Sequence, residues 1–184
     1  MILIKEITSE TKADLQLKNE PFEIRGRMLV TRTSDEWQHE VTLFKEKMQM
    51  TFPDEKYDFD AVVADGFALG AYDYDSGKCI GLAVMKNNWF KYMYLTDLKV
   101  NKAYRKQGVA YQLIEAALYM AQERGYAGIF TIGQDNNVNA CEFYLRSGFE
   151  IGGYNTRGYR HTTQEDKADI YFYWDAPKTS NSYQ

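Results

Sequence analysis

The sequence predicts a mixed α/β fold of the α+β kind, in which helices flank a mostly antiparallel central sheet. The first half of the chain indicates strands joined by turns, and the second half alternates strands with helices. Between the halves, one helix has to connect two parallel strands. Of the 184 residues, 45% are hydrophobic and 15% aromatic, which is enough for one core. We expect a single domain over residues 1–176 and a loose polar tail over 177–184.

Turn residues and the spacing of apolar residues define the elements of the first half. Residues 28–33 predict a short strand, and Ser34 is typical of a helix N-cap. Four apolar residues then recur at helical spacing: Trp37, Val41, Phe44 and Met48. We therefore expect a helix that ends near residue 50. Residues 67–74 and 79–86 predict a hairpin, and residues 92–100 predict a further strand.

The second half has the pattern of alternating helices and strands. Apolar residues from Val109 onward follow one helix face, and this helix should end near Gly125. A short apolar strand over 127–132 follows it. A second helix is expected over 137–147, where Gly148 ends it, and two closing strands are expected over 149–155 and 168–174.

The most specific local pattern lies at the start of the first long helix. The strand that ends in Leu98-Lys99-Val100 is followed by Arg105-Lys106-Gln107-Gly108-Val109-Ala110. Free N–H groups and the dipole of a helix N-terminus bind phosphate, and a glycine lets the backbone approach an anion closely. The other interpretation is a basic helix start in an unrelated α/β protein. The block is neither GxxxxGK[ST] nor GxGxxG, the patterns of nucleotide-triphosphate and dinucleotide sites.

This block resembles the [RQ]-x-x-G-x-[GA] signature of the GNAT acetyltransferase superfamily. A second block, residues 137–144 followed by Gly148-Phe149, is similar to that family's N-x-x-A-x-x-[FL]-Y-x-x-x-G-F. The resemblance implies the GNAT acyl-CoA N-acyltransferase fold and acetyl-CoA as co-substrate. The cofactor-binding residues that it implies are Leu98, Lys99, Val100, Arg105, Lys106, Gln107, Gly108, Val109, Ala110, Asn137 and Tyr144.

A narrower resemblance covers most of the chain. Residues 20–23, 86–89, 134–137 and 171–174 resemble streptothricin acetyltransferases. This implies transfer of an acetyl group from acetyl-CoA to an amine of streptothricin, on its β-lysine moiety, and hence antibiotic resistance. The alternatives are a GNAT enzyme acting on a polyamine, an aminoglycoside or a protein N-terminus, and a non-catalytic acyl-CoA sensor.

Two residues are candidates for the chemistry. The family resemblance puts Tyr144 in the position of the general acid that protonates the departing thiolate. Asp97 lies within an aromatic strand, where a carboxylate is unusual unless it is paired, so it is a candidate for amine recognition and for the base. A salt bridge from Asp97 to Lys99 or Arg105 is the equally weighted alternative. Whether Asp97 or a water chain accepts the proton stays open, as does the face of the strand on which Asp97 lies.

Aromatic residues near these candidates suggest a cation-binding site. Trp37, Tyr92 and Tyr94, together with Asp97, are the expected substrate contacts for a cationic small-molecule amine. The net charge of −4 and pI near 5.3 do not suggest a nucleic-acid partner. Cysteine and histidine spacing predicts no metal site, and no apolar run predicts a membrane span or a signal peptide. We expect a cytoplasmic protein, and a homodimer is one open option.

Overall fold

A computed structural model describes residues 1–178 of the chain. Most of the predicted tail, residues 179–184, lies outside the described residues. The strands are β1 (Ile2–Glu6), β2 (Phe22–Arg32), β3 (Trp37–Met50), β4 (Gly66–Asp73), β5 (Cys79–Lys86), β6 (Tyr92–Val100), β7 (Gly128–Gln134), β8 (Glu150–Asn155) and β9 (Asp169–Asp175). The helices are α1 (Phe59–Ala64), α2 (Val109–Glu123) and α3 (Val138–Arg146), with short 3-10 turns at Lys12–Gln16 and Lys102–Tyr104.

Seven strands form the central sheet in the order β1-β4-β5-β6-β7-β9-β8. Every neighbouring pair in this sheet is antiparallel except β6 and β7, which are parallel and joined by α2. A parallel pair requires a crossover connection, and α2 provides it. The predicted fold class, a mostly antiparallel mixed sheet with one parallel crossover, is therefore confirmed.

Both faces of the sheet centre are covered, which explains why β4 and β5 are apolar almost throughout. On one face α2 and α3 pack over the main core, which includes Leu113, Ile129 and Phe172. On the other face a smaller cluster around Leu82 and Val84 is covered by Leu15 and by side chains of α1 and the segment before it. The second half of the sheet leaves that other face more open.

The predicted helix over residues 37–50 is wrong, because these residues form strand β3. The strand pairs with β2 as a separate antiparallel ribbon. Ser34 and Asp35 lie in the hairpin loop, which is closed by hydrogen bonds from Thr33 to the Glu36 carbonyl at 3.0 Å. Serine and aspartate favour turns as strongly as helix N-caps, so the same residues are consistent with both structures. Pairing with β2 decided the outcome, because Trp37 and Val41 then pack on the main core.

The other predicted elements are present, with boundaries shifted by one or two residues, except that β2 begins at Phe22 rather than near residue 28. Strand β1, helix α1 and the two 3-10 turns have no counterpart in the prediction. None of the helices among residues 1–178 is long and apolar enough to cross a membrane.

Candidate acetyl-transfer site

A gap opens in the sheet between β6 and β7. The two strands pair only from Tyr92 to Leu95 on one side and from Gly128 to Thr131 on the other. Beyond that point β6 keeps its partner β5, and β7 keeps its partner β9. The Thr131 hydroxyl donates to the Leu95 carbonyl at 2.9 Å, at the point where the strands separate. The edge of β6 from residue 97 to 100 therefore faces an open slot with peptide groups available for hydrogen bonding.

A bulge in β6 turns Asp97 toward the more open face of the sheet. On β5, Val84 pairs with Asp97 but the next residue pairs with Leu95, so Thr96 is an extra residue. Val84 lies in the smaller core cluster, on the face opposite α2. Residues directly opposite in an antiparallel pair share a face, so Asp97 lies there too, together with Tyr94. The alternation of residues in the sequence did not show on which face of the sheet Asp97 lies, and the bulge shows that it is the face opposite α2.

The Asp97 carboxylate sits in a small polar cluster, and its side chain is only 12% exposed. Its Oδ2 accepts a hydrogen bond from the Tyr57 hydroxyl at 3.0 Å and pairs with Lys99 Nζ at 3.0 Å. Lys99 also pairs with Glu55 at 2.5 Å. Burial raises the pKa of Asp97 above its usual value, although the positive charge of Lys99 opposes this shift. Asp97 therefore forms the salt bridge to Lys99 that the sequence suggested as an alternative. Among the described residues, no donor contacts the other oxygen of this carboxylate, Asp97 Oδ1.

Tyr144 lies on α3, on the other side of the gap, and is 8% exposed. Its ring packs against Phe149 and Phe172, each at 5.4 Å between centroids. Burial raises its pKa well above the ordinary value, and the negative charge of Asp97 raises it further. The phenol therefore keeps its proton at neutral pH. Helix α3 contacts β7, the strand on the far side of the gap from Asp97.

The loop after β6 forms an anion-binding geometry at the start of α2. Gly108 is the N-cap, with φ of 79° in the left-handed region, and no side chain caps the helix. The first N–H groups of α2 are therefore available to a ligand. Lys106 also has a positive φ of 60°, which turns the backbone sharply just before the glycine. An added Cβ at Gly108 would meet no atom within 4 Å, so the space above the helix terminus is open.

Besides Lys99, three predicted cofactor residues already have internal partners for their side chains. Arg105 donates from Nε to the Val100 carbonyl at 2.9 Å and lies 3.7 Å from Glu20. Gln107 donates to the Ala103 carbonyl at 2.9 Å. Asn137 caps α3 by accepting from the Ala140 N–H at 3.3 Å. These contacts hold the loop and the helix in place, so the three side chains have a structural role whether or not they also bind a ligand.

An aromatic floor extends from the gap across β7 and β9 on the face of Asp97. Tyr94 stacks on Phe130 at 4.6 Å, and Phe130 stacks on Tyr173 at 5.6 Å. Burial raises the pKa of Tyr94, and the negative charge of Asp169 raises it further. Phe130 is buried in this stack, so the half-buried Tyr94 and Tyr173 are the rings that can contact an organic cation.

Two predicted substrate contacts lie apart from the Asp97 cluster. Tyr92 is at the start of β6, where its hydroxyl donates to Asp175 at 2.5 Å, and this partner raises the pKa of Tyr92 to about 12. Trp37 is on the β2–β3 ribbon, and the Arg32 guanidinium lies 5.3 Å from its ring centroid. The Trp37 ring therefore already contacts a cationic side chain of the same protein, Arg32.

Sequence reasoning missed Tyr57 and Glu55, which complete the Asp97 cluster. Both lie in the irregular segment between β3 and α1, about forty residues before their partners. Asn19 holds this segment in place by donating to the Pro53 carbonyl at 2.9 Å and to Glu55 at 3.0 Å. No motif or periodicity in the sequence identifies this segment as part of a site. The one feature that could have indicated it is Tyr57, an aromatic residue among polar ones. Within the described part of the chain, no group of three or more His, Cys, Asp or Glu residues could hold a metal ion.

Comparison with known proteins identifies a family that this chain matches. The profile of the acetyltransferase (GNAT) family matches residues 32–149. Streptothricin acetyltransferase A of Bacillus subtilis (strain 168) is 30% identical over 172 residues, which cover 94% of this chain and 99% of that protein. The streptothricin acetyltransferase of Escherichia coli is 32% identical over 96 residues, 52% of this chain and 55% of that protein.

A solved structure provides the fold comparison. A candidate streptothricin acetyltransferase from Bacillus anthracis str. Ames, crystallised with acetyl coenzyme A, superposes with a TM-score of 0.84 at 26% identity. The match covers 96% of this chain and 99% of that one. The chain therefore belongs to the GNAT acetyltransferase family and is an acetyl-CoA-dependent N-acetyltransferase.

Proposed function

We propose that the protein acetylates an amine of streptothricin, on its β-lysine moiety, and so confers resistance to this antibiotic. The observation that carries the proposal is the buried Asp97 carboxylate beside an aromatic floor, at the end of the slot that suits the cofactor. Likeness to streptothricin acetyltransferase A over 94% of the chain supports the choice of acceptor.

The slot and the α2 terminus would hold acetyl-CoA, which supplies the acetyl group and a thiol leaving group. Peptide groups of Leu98, Lys99 and Val100 on the free edge of β6 would bind its amide chain. The N–H groups of Gly108, Val109 and Ala110 would bind its phosphates, and Lys106 adds a positive charge beside them.

Asp97 would bind the acceptor ammonium through its Oδ1 and accept its proton. A lysine-like amine has a pKa near 10.4, so making it neutral at pH 7 costs about 4.6 kcal/mol. A carboxylate whose pKa is raised by burial is a better proton acceptor than an exposed one. Tyr57 and Lys99 keep the carboxylate oriented while it does this.

Tyr144 would donate its phenolic proton to the sulfur as the carbon–sulfur bond breaks and the nitrogen–carbon bond forms. The second proton of the attacking nitrogen leaves to solvent and Tyr144 is reprotonated, so one amide, one thiol and one released proton result. Its raised pKa means that the donor is protonated throughout the physiological range.

Product analysis tests the proposal. The protein is incubated with acetyl-CoA and streptothricin, and mass spectrometry with fragmentation follows the drug. We expect one added acetyl group on the β-lysine moiety. Unmodified drug, together with acetylated spermidine or aminoglycoside in parallel reactions, would contradict the antibiotic assignment and leave the acetyltransferase assignment standing. Absence of thiol release with every amine would favour a sensor.

A further inference from the structure

The open face of the sheet carries a second carboxylate with a distinctive environment. Asp169 begins β9 and pairs with Gln134 of β7, so it lies on the aromatic floor with Tyr171 and Tyr173. Its Oδ1 accepts a hydrogen bond from the Tyr159 hydroxyl at 2.8 Å. Gln134 in turn donates to the Tyr159 oxygen at 2.9 Å. The carboxylate is thus held in one orientation by the segment between β8 and β9.

Among residues 1–178, this carboxylate has no counter-ion. No Lys, Arg or His among residues 1–178 lies within 4.0 Å of Asp169, whereas Asp97 is paired with Lys99. Its Oδ2 accepts no hydrogen bond in the described part of the chain, and the neighbouring Gln134 Oε1 is buried without a donor. Burial raises the pKa of Asp169, and the Tyr159 hydrogen bond opposes that shift. A half-buried carboxylate oxygen without a donor favours a cationic donor that a ligand supplies.

The two carboxylates stand on opposite sides of the gap. Asp97 is on β6 and Asp169 is two strands away on β9, and both lie beyond the point where β6 and β7 separate, so they are farther apart than the roughly 10 Å of two strand spacings. The aromatic floor of Tyr94, Phe130 and Tyr173 lies beside the line that joins them, on the same face of the sheet. An acceptor with ammonium groups at both ends of a short aliphatic chain matches this arrangement, because each end meets a carboxylate and the methylenes lie over aromatic rings.

We propose that Asp169, oriented by Tyr159, is a second ammonium-binding residue and makes the enzyme selective for acceptors with two amines. One amine reacts at Asp97 and the other is anchored at Asp169. This inference rests on the proposed function, since it assigns the acceptor to the same face of the sheet. Asp169 acts on binding and takes no part in proton transfer.

A matched pair of small ligands tests this. Calorimetry measures the affinity of 1,5-diaminopentane and of 1-aminopentane for the protein in the presence of CoA. We expect the parent to bind the diamine about 10-fold more tightly, the lower end of the range for one charge-assisted hydrogen bond, because the site is partly exposed. Asp169→Asn should abolish this preference and leave 1-aminopentane unaffected. Tyr159→Phe, which keeps the charge but frees the carboxylate, should reduce the preference severalfold.

Asp175→Asn is the control, because Asp175 lies on the same strand and face and also accepts from a tyrosine, at the far end. It should keep the preference. The inference is overturned if the parent does not discriminate between the ligands, or if Asp169→Asn weakens both equally. It is overturned as well if Asp175→Asn acts like Asp169→Asn. Binding is measured without turnover, so failure to acetylate streptothricin would contradict the proposed function while this comparison still decides the role of Asp169.

Discussion

Replacing Asp97 by asparagine tests the acceptor end of the site. The substitution keeps the size of the side chain and removes its charge. Lys99 stays paired with Glu55 at 2.5 Å, and the asparagine oxygen can still accept from the Tyr57 hydroxyl, so the fold should be retained. The variant therefore tests the charge of the carboxylate without disturbing the contacts around it.

The expected loss follows from the burial of this group. A charge-assisted hydrogen bond contributes about 1.5–3 kcal/mol, and Asp97 is buried enough to be near the middle of that range. We expect kcat/KM for streptothricin to fall about 10- to 150-fold, and further if the carboxylate is also the base. Affinity for acetyl-CoA should stay within about twofold, because Asp97 faces away from the α2 terminus.

Thiol release at limiting drug concentration measures kcat/KM, and calorimetry measures acetyl-CoA binding. Asp75→Asn, which removes an exposed carboxylate in the turn between β4 and β5, is the matched control and should behave like the parent. A value of kcat/KM for Asp97→Asn within about twofold of the parent would show that the charge of Asp97 does not bind the acceptor.

Three further predictions concern the donor, the cofactor site and the pH dependence. Tyr144→Phe keeps the buried ring and removes the proton donor, so kcat should fall on the order of 100-fold while acetyl-CoA affinity is unchanged; a turnover number within about twofold of the parent would exclude the role. Gly108→Asp should abolish acetyl-CoA binding in calorimetry through its charge, whereas Gly108→Ala, which costs only about 1–2 kcal/mol of left-handed strain, should retain part of it; equal losses would contradict the anion site. Lys99→Met removes the positive charge that lowers the pKa of Asp97, so this pKa should rise further. The acidic limb of the pH profile of kcat/KM should then move to higher pH. If the limb does not move, Asp97 is not the titrating group.

The sequence predicted the fold where local chemistry and tertiary structure agree. The strand before Arg105, the glycine at the start of α2 and the helix of Tyr144 each follow from local patterns, and the structure has them in place. The helix predicted over residues 37–50 failed because apolar spacing and a turn-forming Ser34 fit two structures. Only pairing with β2 selects one of them, and a single segment does not contain that information.

The candidate site was predicted unevenly for a similar reason. Residues in motifs, such as Gly108 and Tyr144, could be named from their neighbours. Tyr57 and Asp169 could not, because each acquires its position from partners far along the chain or across the sheet. The face of Asp97 depended on the bulge at Thr96, which shifts the alternation of β6 and leaves no clear pattern in the sequence.

The most direct test is the rate of CoA thiol release with streptothricin, spermidine and an aminoglycoside at equal, limiting concentrations. We predict that streptothricin has the highest kcat/KM, and that Asp97→Asn and Tyr144→Phe both lower it. Efficient acetylation of spermidine with none of streptothricin would contradict the assigned acceptor. Full activity on streptothricin in both variants would contradict the assigned site.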